Sequence, residues 1–392
     1  MEAPPRILVF VPYYIPGYKS GGPLNSIRNL IGHFHKEFDF LIITSDRDIG
    51  DTEPYPAISS NAWQPVGQAQ VYYCAPETMT FRHLKRLISD TPHDLVYLNS
   101  FLSFRATTIP LILRHLTLIP RKPVVLAPRG ELSRGATSLK PFKKKLFITA
   151  GKIIRLWKNI LWQASSEFEQ RDIIRKLNPP AANVFVASNL PSVVSDCPNS
   201  SPCRPFNPPL RLLFLSRISP LKNLDFALRC LKEVVNPATF SIYGPIEDRK
   251  YWSKCLSLIK ELPAHLRVHY EGPASPLDVP AIMAKHHLFF FPTRGENYGH
   301  VISEAIFAGT PVLIADTTPW RNLAAKGIGR DLPLQESRAF AEYIDQFSQL
   351  TATEYAQMHR RVMAYSRELQ RDNGDIEANR RLFYSALGLT PP

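Results

Sequence analysis

The stretch Phe289-Phe-Phe-Pro-Thr-Arg-Gly-Glu296-Asn-Tyr-Gly299-His-Val-Ile-Ser-Glu304-Ala-Ile-Phe-Ala-Gly309-Thr-Pro311-Val-Leu-Ile314 reads as one strand–loop–helix–strand unit. The unbroken apolar run Leu288–Phe291 suits a strand buried on both faces. A glycine-bearing loop follows, then a helix with an apolar face over Val301–Ala308. Gly309 stops that helix, and Val312–Ala315 resumes as strand. Two buried strands joined through a helix belong to a parallel sheet covered on both faces.

The same alternation extends in both directions. Upstream, strands are predicted at Leu210–Leu215, Thr239–Tyr243 and Leu266–Tyr270, with helices at Asn223–Val234, Arg249–Leu262 and Val279–Lys285. Downstream, Glu336–Gln349 reads as a helix, and Ala352–Leu387 as charged helical sequence whose first turn signals come at Asp372–Gly374. In the first half, strands are predicted at Arg6–Val11, Phe40–Thr44, Val71–Cys74, Asp94–Leu98, Pro123–Ala127, Leu161–Ser165 and Asn183–Ala187. Helices fall at Leu24–His35, Phe81–Ser89, Ala106–Leu116, Phe142–Trp157 and Glu167–Leu177. Residues 191–209 carry six prolines and no apolar period, which marks a linker. The expected architecture is α/β, with two tandem doubly wound Rossmann-like domains facing across a cleft, at 1–190 and 210–370. A helical tail, 371–392, is expected to cross back.

Composition bounds the function classes. At 392 residues with 44% hydrophobic and 21% charged, the chain can bury two cores. Its apolar runs are short and interrupted, and Met1–Pro5 leads directly into a strand-like run, so neither a membrane span nor a signal peptide is expected. Cys74, Cys197, Cys203, Cys230 and Cys255 are odd in number and never spaced as Cys-x-x-Cys, which suits a reducing cytoplasm rather than a disulfide or zinc scaffold. A formal charge of +13 fits phosphate-bearing ligands, nucleic acid or an anionic membrane surface, and does not choose among them.

In open parallel sheets, ligands bind beyond the carboxyl ends of the strands, so the loops there hold the candidate residues. Gly21-Gly22 precedes a helix start at Pro23 and lets backbone N–H groups approach an anion; a plain turn explains it as well. Arg217 and Lys222 flank the loop after the first strand of the second half, from which two cations can converge on a diphosphate, although solvated cations are the commoner fate. Glu296 lies in a loop and Glu304 eight positions on, roughly 12 Å apart at helical rise. No Asp-x-Asp stands on a loop after a strand. Asp46-Arg-Asp48 comes nearest and reads as an ion-paired loop, and His33-x-His35 as a solvated pair.

Glu296 and Glu304 form a Glu-x7-Glu motif, through which the chain resembles glycosyltransferase family 4: retaining, GT-B-fold enzymes with nucleotide-sugar donors. Pro128-Arg-Gly-Glu-Leu-Ser, Ala164-Ser-Ser-Glu-Phe-Glu, Ser216-Arg-Ile-Ser-Pro-Leu-Lys-Asn, Tyr243-Gly-Pro-Ile-Glu-Asp and Thr318-Pro-Trp add to the likeness. The resemblance implies that Arg217 and Lys222 bind the donor diphosphate, with Glu296 on the donor sugar and Glu304 on the ribose hydroxyls. It places Gly21, Gly22, Arg129, Gly244, Asn297, Tyr298, Gly299, His300 and Val301 at the donor. Arg129 stands where many members carry His, and His300 where an apolar residue is commoner. No metal and no cofactor are implied beyond a UDP- or GDP-linked sugar as substrate.

The segment Lys140–Lys158 holds seven cations and no acid, with Phe142, Leu146, Ile153, Ile154 and Trp157 as apolar counterpart. It reads as a basic amphipathic helix suited to an anionic membrane surface, or as an ordinary helix packed on its domain. The expected function is transfer of a hexose, with retention and without metal, to a growing polysaccharide or lipid-linked oligosaccharide such as lipopolysaccharide. The enzyme is expected to work in the cytoplasm, peripheral on the inner leaflet, with no nucleic-acid partner. A GT-B epimerase, a soluble disaccharide synthase and a non-catalytic nucleotide-sugar or membrane-binding module remain alternatives.

Overall fold

The computed structural model describes residues 3–133, 141–192 and 205–391. The chain forms two compact units: Met1–Val193 with Asn373–Pro392, and Val194–Asp372. Most of the linker read at 191–209, with Cys197 and Cys203, lies outside the described residues.

The first unit runs β1 (Arg6–Phe10), helix Gly22–Phe34, β2 (Asp39–Ser45), β3 (Trp63–Val66), β4 (Ala69–Cys74), helix Phe81–Asp90 and β5 (Leu95–Asn99). A π-helical turn, Phe104–Thr108, then leads into helix Ile109–His115, β6 (Val124–Ala127), helix Pro141–Ile153, β7 (Leu161–Ala164), helix Glu167–Leu177 and β8 (Val184–Val186). Its sheet has the order β3-β4-β2-β1-β5-β6-β7-β8. Only β3 is antiparallel to its neighbour. β1, β5 and β6 bury nearly every side chain, which is why they read as unbroken apolar runs.

In the second unit, β9 (Leu210–Leu215), β10 (Ala238–Tyr243), β11 (Leu266–Gly272), β12 (Leu288–Phe291), β13 (Val312–Ala315) and β14 (Gly329–Leu332) form an all-parallel sheet ordered β11-β10-β9-β12-β13-β14. Phe289, Phe290 and Phe291 pair with Val312, Leu313 and Ile314. All six are fully buried, so the stretch that decides the fold is also the middle of its core. The chain builds outward from β9 through β10 to β11, then returns to the other side of β9 at β12. Such a reversal opens a crevice between the two neighbouring strands at their carboxyl ends.

The charged C-terminal sequence divides into helices Ala352–Arg371 and Gly374–Leu387, separated at Asp372–Asn373. The first opens on a capping box between Thr351 and Glu354. The second belongs to the first unit. There Phe383 packs against Phe34, Phe38 and Tyr97, and Arg380 forks onto Glu37. Asn379, fully buried, accepts from Gln163 and donates to the carbonyl of Ser188. Each of its polar atoms thus has a partner, as burial demands.

Candidate active site

The loops after β9 and β12 meet at the strand reversal of the second unit. Lys222 Nζ lies 2.5 Å from Glu296 Oε1, and both side chains are 12% exposed. Thr293 Oγ1 donates to the same carboxylate oxygen at 3.2 Å, and the Lys222 ammonium stands 5.7 Å from the centre of the Phe291 ring. The two loops are tied together beneath this pair. Asn223, left-handed at φ 63° and buried, donates to the carbonyl of Pro292 and accepts from Arg294 Nε. The carbonyl of Leu221 accepts from the Arg294 amide. The backbone on both sides of Lys222 is thereby fixed, so that only its side chain has to be ordered to reach Glu296.

Arg217 sits on the other flank and pairs with Glu247 at 3.0 Å, both partly exposed. Glu247 comes from the loop after β10, which is laced to the first loop: the Ile218 amide donates to Pro245, and the Ile218 carbonyl accepts from Glu247 and Asp248. Gly244 makes this crossing possible. Its φ is 139°, and a Cβ there would lie 1.9 Å from the Ser216 carbonyl oxygen. Its N–H donates to Gly272, and its carbonyl accepts from the Tyr270 hydroxyl. Burial pushes the Tyr270 phenol up from its ordinary value, which keeps it a donor.

Glu304 falls in the second turn of helix His300–Phe307, half-buried. Since the helix begins only at His300, helical rise governs just the last part of the Glu296–Glu304 interval. Gly299, left-handed at φ 83°, caps the helix without a side chain. The first N–H groups therefore lack a side-chain cap and face the same end as the loop that bears Glu296. Trp320 holds the approach in place, its Nε1 donating to the carbonyl of Tyr298 at 2.5 Å. His300 is buried, with its ring 4.8 Å from that of Tyr298.

The remaining candidates lie in the first unit. Gly21 and Gly22 open helix Gly22–Phe34, and a Cβ built on either would meet no described atom within 4 Å. Packing within the protein does not require glycine at position 22. The loop before them hangs on Asp48, whose Oδ2 accepts from the amides of Tyr18 and Lys19. In the Asp46-Arg-Asp48 segment, only Asp46 pairs with Arg47; Asp48 serves the loop, which the ion-paired reading did not anticipate. Arg129, at φ 55°, turns inward: Nε and Nη2 donate to Asn99, Nη2 to the Tyr97 hydroxyl, and Nη1 to Asn189. Tyr97 passes the chain on to Gln163 and so to Asn379. Glu131 and Glu169 hold the adjoining backbone, accepting from Phe101 and Leu102 and from Gly130 and Ser165. Burial raises the Glu131 carboxyl despite those donors.

Of the predicted residues, Lys222 and Glu296 are thus in direct contact, while Arg217 has its own carboxylate partner. Glu247, Asn223, Thr293, Trp320 and Asp48 complete the local architecture without having been singled out. Asn223, Glu247, Thr293 and Trp320 lie within the sequence motifs given above, and Asp48 was legible only as half of a charged pair. Among the described residues, no group of three or more His, Cys, Asp and Glu side chains is gathered as a metal ion would need.

Residues 204–367, which contain all of the second-unit candidates, match the family model described as "Glycosyl transferases group 1". No curated protein matches the chain. Among solved structures, Anabaena Alr3699/HepE, crystallised with UDP and glucose, is 16% identical, with 98% of this chain and 100% of that one covered and a TM-score of 0.69. Sucrose-phosphate synthase from Thermosynechococcus elongatus gives 14%, 98%, 100% and 0.69 in the same order. The lipopolysaccharide outer core galactosyltransferase WaaB gives 14%, 97%, 99% and 0.60. The fold is that of GT-B glycosyltransferases: two Rossmann-like domains, each on a parallel sheet.

Proposed function

We propose that the chain is a retaining hexosyltransferase that takes its sugar from a UDP- or GDP-linked donor and works without a metal ion. The observation that carries this reading is the Lys222–Glu296 pair at the strand reversal, inside the region matched by the group 1 model. In the resting protein each charge neutralises the other. When the donor binds, its diphosphate takes Lys222 and Arg217, and its sugar hydroxyls take Glu296. Glu304 then holds the ribose, and the N–H groups after Gly299 face the phosphates.

The bond from the anomeric carbon to the phosphate oxygen breaks with its electron pair leaving on the diphosphate, where Lys222 and Arg217 meet the growing charge. The acceptor oxygen attacks the same face, and its proton passes to the departing phosphate oxygen. A double displacement through two carboxylates needs them about 5–5.5 Å apart on either side of the anomeric carbon; in this reading Glu304 serves the ribose and Glu296 is already paired with Lys222. The acceptor is a growing polysaccharide or lipid-linked oligosaccharide, met in the cytoplasm at the inner leaflet. No helix among the described residues is long and apolar enough to cross a membrane.

A thermal-shift screen of UDP, GDP, ADP and CMP sugars tests the donor, because a ligand of the native state raises the melting temperature by mass action. A UDP- or GDP-sugar should stand out, with and without EDTA. No shift from any of the four sinks the donor reading, and loss of turnover in EDTA restored by Mg²⁺ sinks the metal-free one. The anomeric configuration of the product, read by proton NMR, should match that of the donor.

A further inference from the structure

We propose that the outward face of helix Pro141–Ile153, with the turn after it, docks the first unit on an anionic lipid bilayer. The structure separates Trp157 from Phe142, Leu146, Ile153 and Ile154, with which the sequence reading had grouped it, and adds Phe147 and Ile148 on its side. Phe147 and Ile148 face the core with Gly151, and Trp157 folds back over them. The Trp157 indole stacks on Phe101 at 5.2 Å and meets Phe147 at 5.9 Å. It lies so close to Gly151 that a Cβ there would come within 2.3 Å of it. Arg114 fastens the end of the segment by donating to the carbonyls of Lys158 and Asn159. The helix therefore meets its packing requirement entirely through its inner side.

The outer side carries a second apolar stripe. Phe142 is 79% exposed, Leu146 61% and Ile153 76%, with Ile154 beside them at 47%. Positions 142, 146, 150 and 153 recur at helical spacing and lie on one face. Single exposed apolar residues need no explanation, but three on one face with a fourth beside them do. Lys143, Lys145, Lys152, Arg155 and Lys158 are exposed around that stripe, and the sequence from 140 to 158 contains no Asp or Glu.

The charge pattern selects the occupant. A second copy of the same face would set five cations against five, which costs association. A nucleic acid would use the cations, yet it stacks on aromatic platforms and has no use for a Leu–Ile stripe. An anionic bilayer takes both at once, apolar side chains among the acyl chains and cations at the headgroups. This deepens the lipid-linked acceptor reading, and only its biological purpose rests on that reading.

The test is co-sedimentation of the full chain with phosphatidylcholine vesicles, with and without phosphatidylglycerol. Two triple variants are compared: F142S/L146S/I153S, which removes the stripe, and K143E/K145E/K152E, which reverses the field. All six side chains are exposed, so both variants should keep the wild-type melting temperature and its shift with donor. Wild type should bind only vesicles with phosphatidylglycerol. The charge variant should lose at least on the order of 100-fold in affinity, about fivefold for each positive charge removed before the repulsion of the new carboxylates is added. The apolar variant should lose at least about tenfold even at low salt, as several buried methylenes are withdrawn. No binding by wild type, equal binding to both vesicle types, or an apolar variant that binds like wild type overturns the proposal. So does a dimer in sedimentation velocity that F142S/L146S/I153S dissolves. Because vesicle binding needs no donor, a chain that responds to nucleotide sugar but ignores vesicles fails here alone.

Discussion

Replacing Glu296 by Gln separates a lysine held in reserve for a diphosphate from one that merely braces two loops. In the resting protein the ammonium of Lys222 and the carboxylate of Glu296 are 2.5 Å apart and largely shielded from water. A diphosphate arriving at Lys222 must displace that carboxylate or sit beside it as a further negative charge. Removing the charge from residue 296 while keeping an amide oxygen for Thr293 and Lys222 lifts this penalty. A charge-assisted hydrogen bond contributes about 1.5–3 kcal/mol, and the amide keeps part of it. A net gain of about 1–2 kcal/mol in binding free nucleoside diphosphate follows, or roughly 5–30-fold in Kd. Turnover of the intact donor should move the opposite way, falling about 10²–10³-fold as a group aimed at the reacting sugar is lost. Isothermal titration with UDP and GDP gives the first quantity and initial rates the second. If the better of the two nucleotides binds E296Q no more tightly than wild type, at an unchanged melting temperature, Lys222 is a structural partner and the diphosphate site lies elsewhere. K222A sharpens the test, since it strands a shielded carboxylate and should weaken both folding and nucleotide binding. The double variant should recover part of the folding loss and none of the binding.

Glu304→Ala should raise the donor KM several-fold with little change in kcat, as ribose contacts are alike in ground and transition states; steady-state kinetics over a donor range decides it. Gly244→Ala should cost about 2–4 kcal/mol in urea unfolding, because both its φ and the Ser216 carbonyl reject a Cβ, and a midpoint within error of wild type would refute the crossing. Asp225 gives an acid limb to stability. Burial alone would raise its carboxyl, but Lys254, Tyr251 and Arg229 outweigh that and hold it well below the ordinary 3.8. The stabilisation is then complete above about pH 4 and fades as pH falls below it, where the unfolded chain takes up the proton first. Urea midpoints between pH 3 and 7, wild type against D225N, should diverge at the upper end and converge at the lower.

The central strands were legible because burial on both faces leaves unbroken apolar runs, as at Leu288–Phe291. The two strands that reading missed, Trp63–Val66 and Gly329–Leu332, both lie at sheet edges. One carries Pro65 and the other Gly, Arg and Asp, so neither has a period to detect. The helix expected through Trp157 stops at Ile153, since Arg155 turns left-handed at φ 52° and lets Trp157 fold back. Lys222 and Glu296 were legible as types placed on loops after strands. Their contact was not, as it joins residues 74 positions apart and follows from β9 and β12 being neighbours. The same holds for Asp48 beneath the Gly21–Gly22 loop: it stands 30 positions from Tyr18, and nothing local marks a carboxylate that caps a distant backbone.

These pairings change what the net charge signifies. A formal +13 suits a phosphate ligand, yet in the second unit the two candidate cations are matched one for one, Lys222 by Glu296 and Arg217 by Glu247. These two pairs are thus neutral at rest, and a donor bound as proposed gains its cations by exchange with carboxylates already present. Elsewhere in the sequence, Lys140–Lys158 alone holds seven cations and no acid, more than half of the excess. Exchange at the shielded Lys222–Glu296 pair responds little to salt, whereas attraction of exposed lysines to a surface is screened within about 10 Å at 0.1 M. If both proposals hold, the basic segment governs attachment to the bilayer and the small paired site governs donor binding. The two should part when ionic strength is raised, vesicle binding falling away while donor affinity holds.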